Sequence, residues 1–158
     1  MHSRIFQIST KPIHKYDYIE ENRYYDHWFL HSVADYVNEN SDRIDDIDWL
    51  KSCYESDGLS FGTDEHGEYF IVEDKVKFFE PNFQRFQNAL QELTKTTLDD
   101  FISGKCGYPL YTLKAAYDDK FGFYVDGDET YLKTLNEFIR EAEIGTKYYI
   151  GATIDYHC

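Results

Sequence analysis

Two histidines four residues apart, His27 and His31, are the first pair in the chain with a spacing that chemistry uses. On a helix, side chains at i and i+4 share a face, which is how two imidazoles hold a zinc ion. The zincin pattern also needs a glutamate directly after the first histidine, and residue 28 is tryptophan. A third ligand would have to come from Asp35 or from a distant residue, so the pair reads as ordinary, partly exposed histidine and no metal is assigned. A second spacing runs through Asp126, Asp128 and Thr130, with Glu137 at the twelfth position of a calcium-type loop. That loop turns sharply at its sixth residue, normally glycine, and the sixth residue here is Tyr131. Asp128 reads better as the cap of a following helix.

The remaining reactive side chains form no recognisable set. Cys53, Cys106 and Cys158 are odd in number and lack a CxxC pair, so neither a disulfide framework nor a structural zinc site is supported. The chain has no GxGxxG, no GxxxxGK[ST] and no GxSxG, the signatures of nucleotide phosphates and of hydrolase serines. No cofactor is expected. Carboxylates are plentiful instead: 30 Asp and Glu stand against 16 Lys and Arg, a net charge of −14. Asp42, Asp45, Asp46 and Asp48, then Glu55 and Asp57, then Asp64, Glu65 and Glu68, are the candidates for an acidic, partner-binding surface. Fifteen tyrosines accompany them, a residue enriched at protein interfaces because it joins a large contact area to a hydrogen-bonding tip. Tyrosine also fills half-buried positions in an aromatic-rich core, and both uses fit.

These residues need elements to hold them. Residues 4–9 read as a strand, stopped by Pro12. Trp28, Phe29, Val33, Tyr36 and Val37 recur at helical spacing and predict a helix over about 24–38. A second helix follows, capped by Ser41 or Asp42, with Ile44, Ile47, Leu50 and Tyr54 as its apolar stripe and Asp42, Asp45 and Asp46 off it. Residues 59–61 and 68–72 flank a glycine-containing loop and predict a β-hairpin. Phe79, Phe83, Phe86, Leu90 and Leu93, spaced 4, 3, 4, 3, predict a helix over about 81–94 with an aromatic stripe meant for a core, and Pro81 suits its first turn. Thr97 to Asp100 reads as a capping pattern for a short helix through Ile102, and 109–117 stays ambiguous. Residues 121–125 form a strand and 129–143 a helix. Residues 147–156 form a last strand in which Tyr148, Ile150, Ala152 and Ile154 alternate with Tyr149, Gly151 and Thr153. The strand–helix–strand unit at 121–156 would make its two strands parallel. The expectation is a single α+β domain over residues 1–158, with a mixed sheet of about five strands and helices mainly on one face.

Composition narrows the function. Aromatics at 18 % argue against disorder despite the charge. No apolar run approaches the roughly 18 residues of a membrane span, and the first residues lack a signal-peptide core, so a cytoplasmic protein is expected. Acid of this excess repels phosphate, which excludes direct binding to nucleic acid or to an anionic membrane and favours basic partners. In size, acidity and lack of catalytic signatures the chain resembles small inhibitors of two types: phage or mobile-element proteins that imitate DNA, and bacterial immunity proteins that neutralise a basic toxin. That resemblance implies a non-enzymatic inhibitor of a nuclease, toxin or other nucleic-acid-binding protein. The alternatives are a small enzyme or ligand-binding domain whose site comes from residues distant in sequence, and a structural protein that oligomerises through its aromatic residues.

Overall fold

The strand near the start of the sequence and the strand near its end pair with each other at the centre of the sheet. The structure, a computed structural model, describes residues 1–39 and 42–158. β1 (His2–Ser9) runs antiparallel to β7 (Lys147–His157), from His2 opposite His157 to Ser9 opposite Tyr149. Five further strands build on this pair: β2 (Tyr36–Asn38), β3 (Leu59–Asp64), β4 (Gly67–Val72), β5 (Tyr124–Asp126) and β6 (Lys133–Thr134). The order is β3-β4-β7-β1-β5-β6, with β2 pairing 155–157 of β7 beyond the stretch that pairs with β4. The α+β class and the mixed sheet are as the sequence predicts, with seven strands in place of about five. The predicted β3–β4 hairpin is present.

The predicted parallel pair is not. β5 lies parallel to β1, and β1 separates it from β7. The connection from β5 also differs: residues 133–134 first turn back to pair with β5, and the helix begins later, as α6 (Leu135–Glu141). Its cap is Thr134, whose hydroxyl accepts from the Glu137 N–H at 3.2 Å, and not Asp128. The helix expected over 24–38 is mostly absent. A 3-10 turn at Glu21–Tyr24 and a single turn, α1 (Phe29–Ser32), stand there, broken where Leu30 takes ψ 129° and His31 takes φ 87°. Tyr36–Asn38 then joins the sheet as β2. Phe29 and Val33 do reach the core, but from an irregular chain, and Val37 reaches it from β2.

Three helices cover one face of the sheet. α2 (Arg43–Tyr54) is capped by Asp42, whose side chain accepts from the Ile44 and Asp45 N–H groups; Ser41, the other candidate cap, lies outside the described residues. α3 (Lys75–Thr94) starts six residues before Pro81 because Asp74 caps it, accepting from Val76 and Lys77. Pro81 therefore sits inside the helix. Phe6, Ile8, Phe70, Val72, Tyr148 and Ile150 of the sheet pack against Ile47 and Leu50 of α2, Phe78 of α3 and Leu135, Phe138 and Ile139 of α6. The opposite face packs Ile5, Tyr124, Ile154 and Tyr156 against Tyr24, Phe29, Val33 and Val37. α4 (Leu98–Ile102) carries the predicted capping box, Thr97 with Asp100, and α5 (Gly107–Asp118) settles the ambiguous stretch as helix. No helix is long and apolar enough to cross a membrane, among the described residues.

β7 does not alternate as its sequence suggests. Phe6 pairs with Thr153 and Ile8 with Ile150, so β7 carries one extra residue between these pairs. The bulge changes which face a given parity takes. Tyr148 and Ile150 face the helices, whereas Ile154 and Tyr156 belong to the opposite core. Gln7 fills the irregularity, accepting from the Ala152 and Ile19 N–H groups at 3.1 Å each and donating to the Asp17 carbonyl at 2.8 Å. Arg43 holds the bulge by donating to the carbonyls of Gly151 (2.6 Å) and Ile150 (2.7 Å).

Candidate functional site

β5 ends on a carboxylate inside the protein. Asp126 is 2 % exposed, and burying an isolated charge is costly unless donors surround it. Four donors do. Arg23 donates through Nε at 2.8 Å and through its second nitrogen at 3.2 Å, the Tyr24 hydroxyl at 2.9 Å and the Gly127 N–H at 2.8 Å. The 3-10 turn at 21–24 delivers Arg23 and Tyr24 together, while β5 delivers Asp126. Burial first, and then the Asp126 charge, push the Tyr24 hydroxyl far above its ordinary range, so it stays a donor. The Asp126 side-chain bond is the main cause that raises the Arg23 guanidinium. Gly127 follows because β1 comes close: a Cβ there would stand 2.2 Å from the Ile8 carbonyl oxygen.

Arg23, Tyr24, Asp126 and Gly127 line an open cavity of about 740 Å³ together with His27, Trp28, Asp128, Glu129, Thr130, Tyr131 and Leu132. Trp28 is 52 % exposed and Tyr131 86 % exposed. The His27 ring stands edge-on to Tyr24 at 6.2 Å and tilted against Trp28 at 5.4 Å. Glu129 accepts from the Thr10 hydroxyl at 2.6 Å and from the Thr10 N–H, which lower its pKa in that order, and lies 3.9 Å from Lys11. The lining thus holds three carboxylates and one guanidinium, and the guanidinium is already engaged.

The two motifs considered for metals in the sequence meet at this cavity. His27 and the Asp126–Thr130 segment both line it, whereas His31 and Glu137 do not. Among the described residues no group of three or more His, Cys, Asp and Glu could hold a metal ion. The signal that brings the segments together is the charge pair Arg23 and Asp126. Nothing in the sequence singles that pair out across a separation of 103 positions.

The nine acidic candidates divide sharply. Asp46 is buried, a correction to its reading as off the apolar stripe. It accepts from Arg4 and, at 2.7 Å, from the Thr153 hydroxyl, and Arg4 also pairs with Asp155. Asp42 is the α2 cap. Glu68 pairs with Arg43 at 2.7 Å and Asp64 with Lys147 at 2.8 Å. Glu55 lies 3.6 Å from Lys51 on the next turn, and Asp57 is half-buried after α2. Asp45 and Asp48 stand exposed on neighbouring turns of α2, and Glu65 is exposed at the hairpin tip. The nine do not gather at the cavity. Comparison with protein-family models, curated proteins and solved structures returns no match.

Proposed function

We propose that this chain is a non-enzymatic binding protein for a basic protein, a nuclease, toxin or other nucleic-acid-binding protein, which it inhibits by occupying a cationic surface. The cavity at the end of β5 seats one lysine or arginine side chain of that partner. The lining of the cavity carries the reading. Asp128 and Glu129 leave the rim negative after Arg23 and Asp126 have satisfied each other. The exposed rings of Trp28 and Tyr131 offer π faces, which attract ammonium and guanidinium groups. A volume of about 740 Å³ is ample for such a side chain. The net charge of −14 steers a basic partner toward the protein from a distance.

Trp28 supplies the test, because Trp49→Phe leaves it as the single indole of the chain. The Trp49→Phe protein is titrated with an arginine-rich nonapeptide and with a glutamate-rich peptide of equal length. The basic peptide is expected to change Trp28 fluorescence saturably, with affinity falling steeply between about 50 mM and about 500 mM salt as charges are screened. Adding Asp128→Lys and Glu129→Lys is expected to weaken binding about tenfold or more, two rim carboxylates being worth of order 1 kcal/mol together. No saturable change, an equal response to the acidic peptide, or binding that survives the double reversal overturns the proposal. Saturation by acetyl-arginine amide as tight as by the peptide favours the small-ligand alternative.

A further inference from the structure

The apolar residues that the fold leaves outside are concentrated in one region. Residues 75–118, which hold α3, α4 and α5, expose Val76, Phe83, Leu90, Leu98, Phe101 and Ile102 among others. Exposed apolar side chains gathered in this way mark an interaction surface, because isolated ones are ordinary and clustered ones are not.

The pattern on α3 says what shape covers it. Val76, Phe83 and Leu90 recur every seven residues, and Phe79, Phe86 and Leu93 follow each by three. These six residues form the a and d positions of three heptads, the spacing of a seam between two helices. The fold uses only one side of the seam. Phe79, Phe86 and Leu93 are half-buried, whereas Val76 is 77 %, Phe83 60 % and Leu90 40 % exposed. α5 is not the missing helix. The α3 residues along the groove with α5 include Arg85, Asn88 and Glu92, and at 100° per residue these lie about half a turn round from Phe83.

Charge says which helix fits. Residues 75–118 carry six bases and five acids, so the whole excess of acid lies elsewhere: ten bases against twenty-five acids, a net of −15. A basic partner gains nothing from the neutral arm. A second copy meets no like-charge repulsion there, and an arm-to-arm contact lets the two acidic bodies point apart. We propose that the protein self-associates through this arm, the Val76–Phe83–Leu90 stripes of two α3 helices packing against each other in a symmetric dimer.

Sedimentation equilibrium tests this across about 2–200 μM protein, the span over which a micromolar dimer declares itself. The mass is expected to rise from monomer toward dimer, and the association to strengthen with added salt, since salt screens repulsion between the bodies. Binding of a basic peptide at the cavity weakens with salt, so the two proposals respond with opposite sign. Phe83→Glu with Leu90→Glu is expected to weaken dimerisation about a hundredfold while the far-UV circular dichroism stays unchanged. Val76→Lys, a change at the most exposed position, serves if the double variant misfolds. Asp128→Lys with Glu129→Lys, outside the arm, is expected not to weaken the association. A monomer at every concentration and salt means that no second copy covers the arm, and overturns the proposal. So does a dimer that persists in the α3 variants.

Discussion

Asp64 shows what a carboxylate at the surface can be made to do. Lys147 donates to it at 2.8 Å and is the main reason its pKa falls from 3.8 to about 2; the His66 N–H and the Tyr149 hydroxyl add to the effect. The folded protein therefore holds this group ionised at a pH where the unfolded chain protonates it. Its contribution to stability is present above pH 3.8 and is lost as the pH falls toward about 2. Asp64→Asn is expected to flatten the pH dependence of the melting temperature across that window and to leave it unchanged above, as thermal denaturation at a series of pH values would register. An equally steep loss in the variant would assign the acid sensitivity to other groups. The sequence could not sort the thirty acids in this way. Arg4 reaches Asp46 across 42 positions and Lys147 reaches Asp64 across 83. A carboxylate spent on a distant base looks, in sequence, like one left free. The same limit hides the Arg23–Asp126 pair, although His27 and Asp126 each stand out for other reasons.

Elements with a strong local period were legible, and those shaped by neighbours were not. The β3–β4 hairpin, the α2 cap at Asp42 and the Thr97–Asp100 capping box follow from residues within a few positions of one another. The helix expected at 24–38 had the right apolar residues, but pairing of Tyr36–Asn38 with β7 takes the chain out of helix. β7 deceives differently: its sequence alternates cleanly while the strand does not, because the bulge is set by Gln7 and Arg43 on other elements. Gly151 allows this arrangement, since a Cβ there would stand 2.5 Å from the Gln7 Oε1 and 3.0 Å from Ile13. Gly151→Ala is expected to destabilise the fold by about 2–3 kcal/mol, through overpacking and loss of the Gln7 hydrogen bonds. Gly107→Ala, where a Cβ meets nothing, is expected to change stability by less than about 1 kcal/mol. Urea titration of both variants checks the contrast, and equal effects would remove the bulge from the account.

At the scale of the whole molecule, the α+β class followed from the order of elements, while the strand order did not. Two segments that both pair with β1 carry no mark of that in their own residues. The division of charge was hidden for a related reason. Counted in consecutive thirds the acid looks evenly spread, and it separates only when the chain is cut at the ends of the helical arm, which the fold defines. The 75–118 segment is nearly neutral and exposes many apolar side chains, while the rest of the chain carries the acid.

The pairing of β1 with β7 also governs how the protein comes to exist. Until residues 147–157 are available, β1 has no antiparallel neighbour and β4 pairs only with β3. The hairpin and the helices can form early, but the centre of the sheet must wait for the closure of a long loop, from Ser9 to Tyr149. Such closure loses chain entropy before any contact repays it, and it slows folding. Stopped-flow refolding is accordingly expected on a scale of milliseconds to seconds, the regime of sheets built from distant partners and not the microseconds of helical bundles. A microsecond main phase would show that the central pair is not rate-limiting. During synthesis the Ile5, Phe6 and Ile8 side chains of β1 stay uncovered until residues 124–126 and then 147–157 have emerged, an interval in which exposed apolar surface favours aggregation.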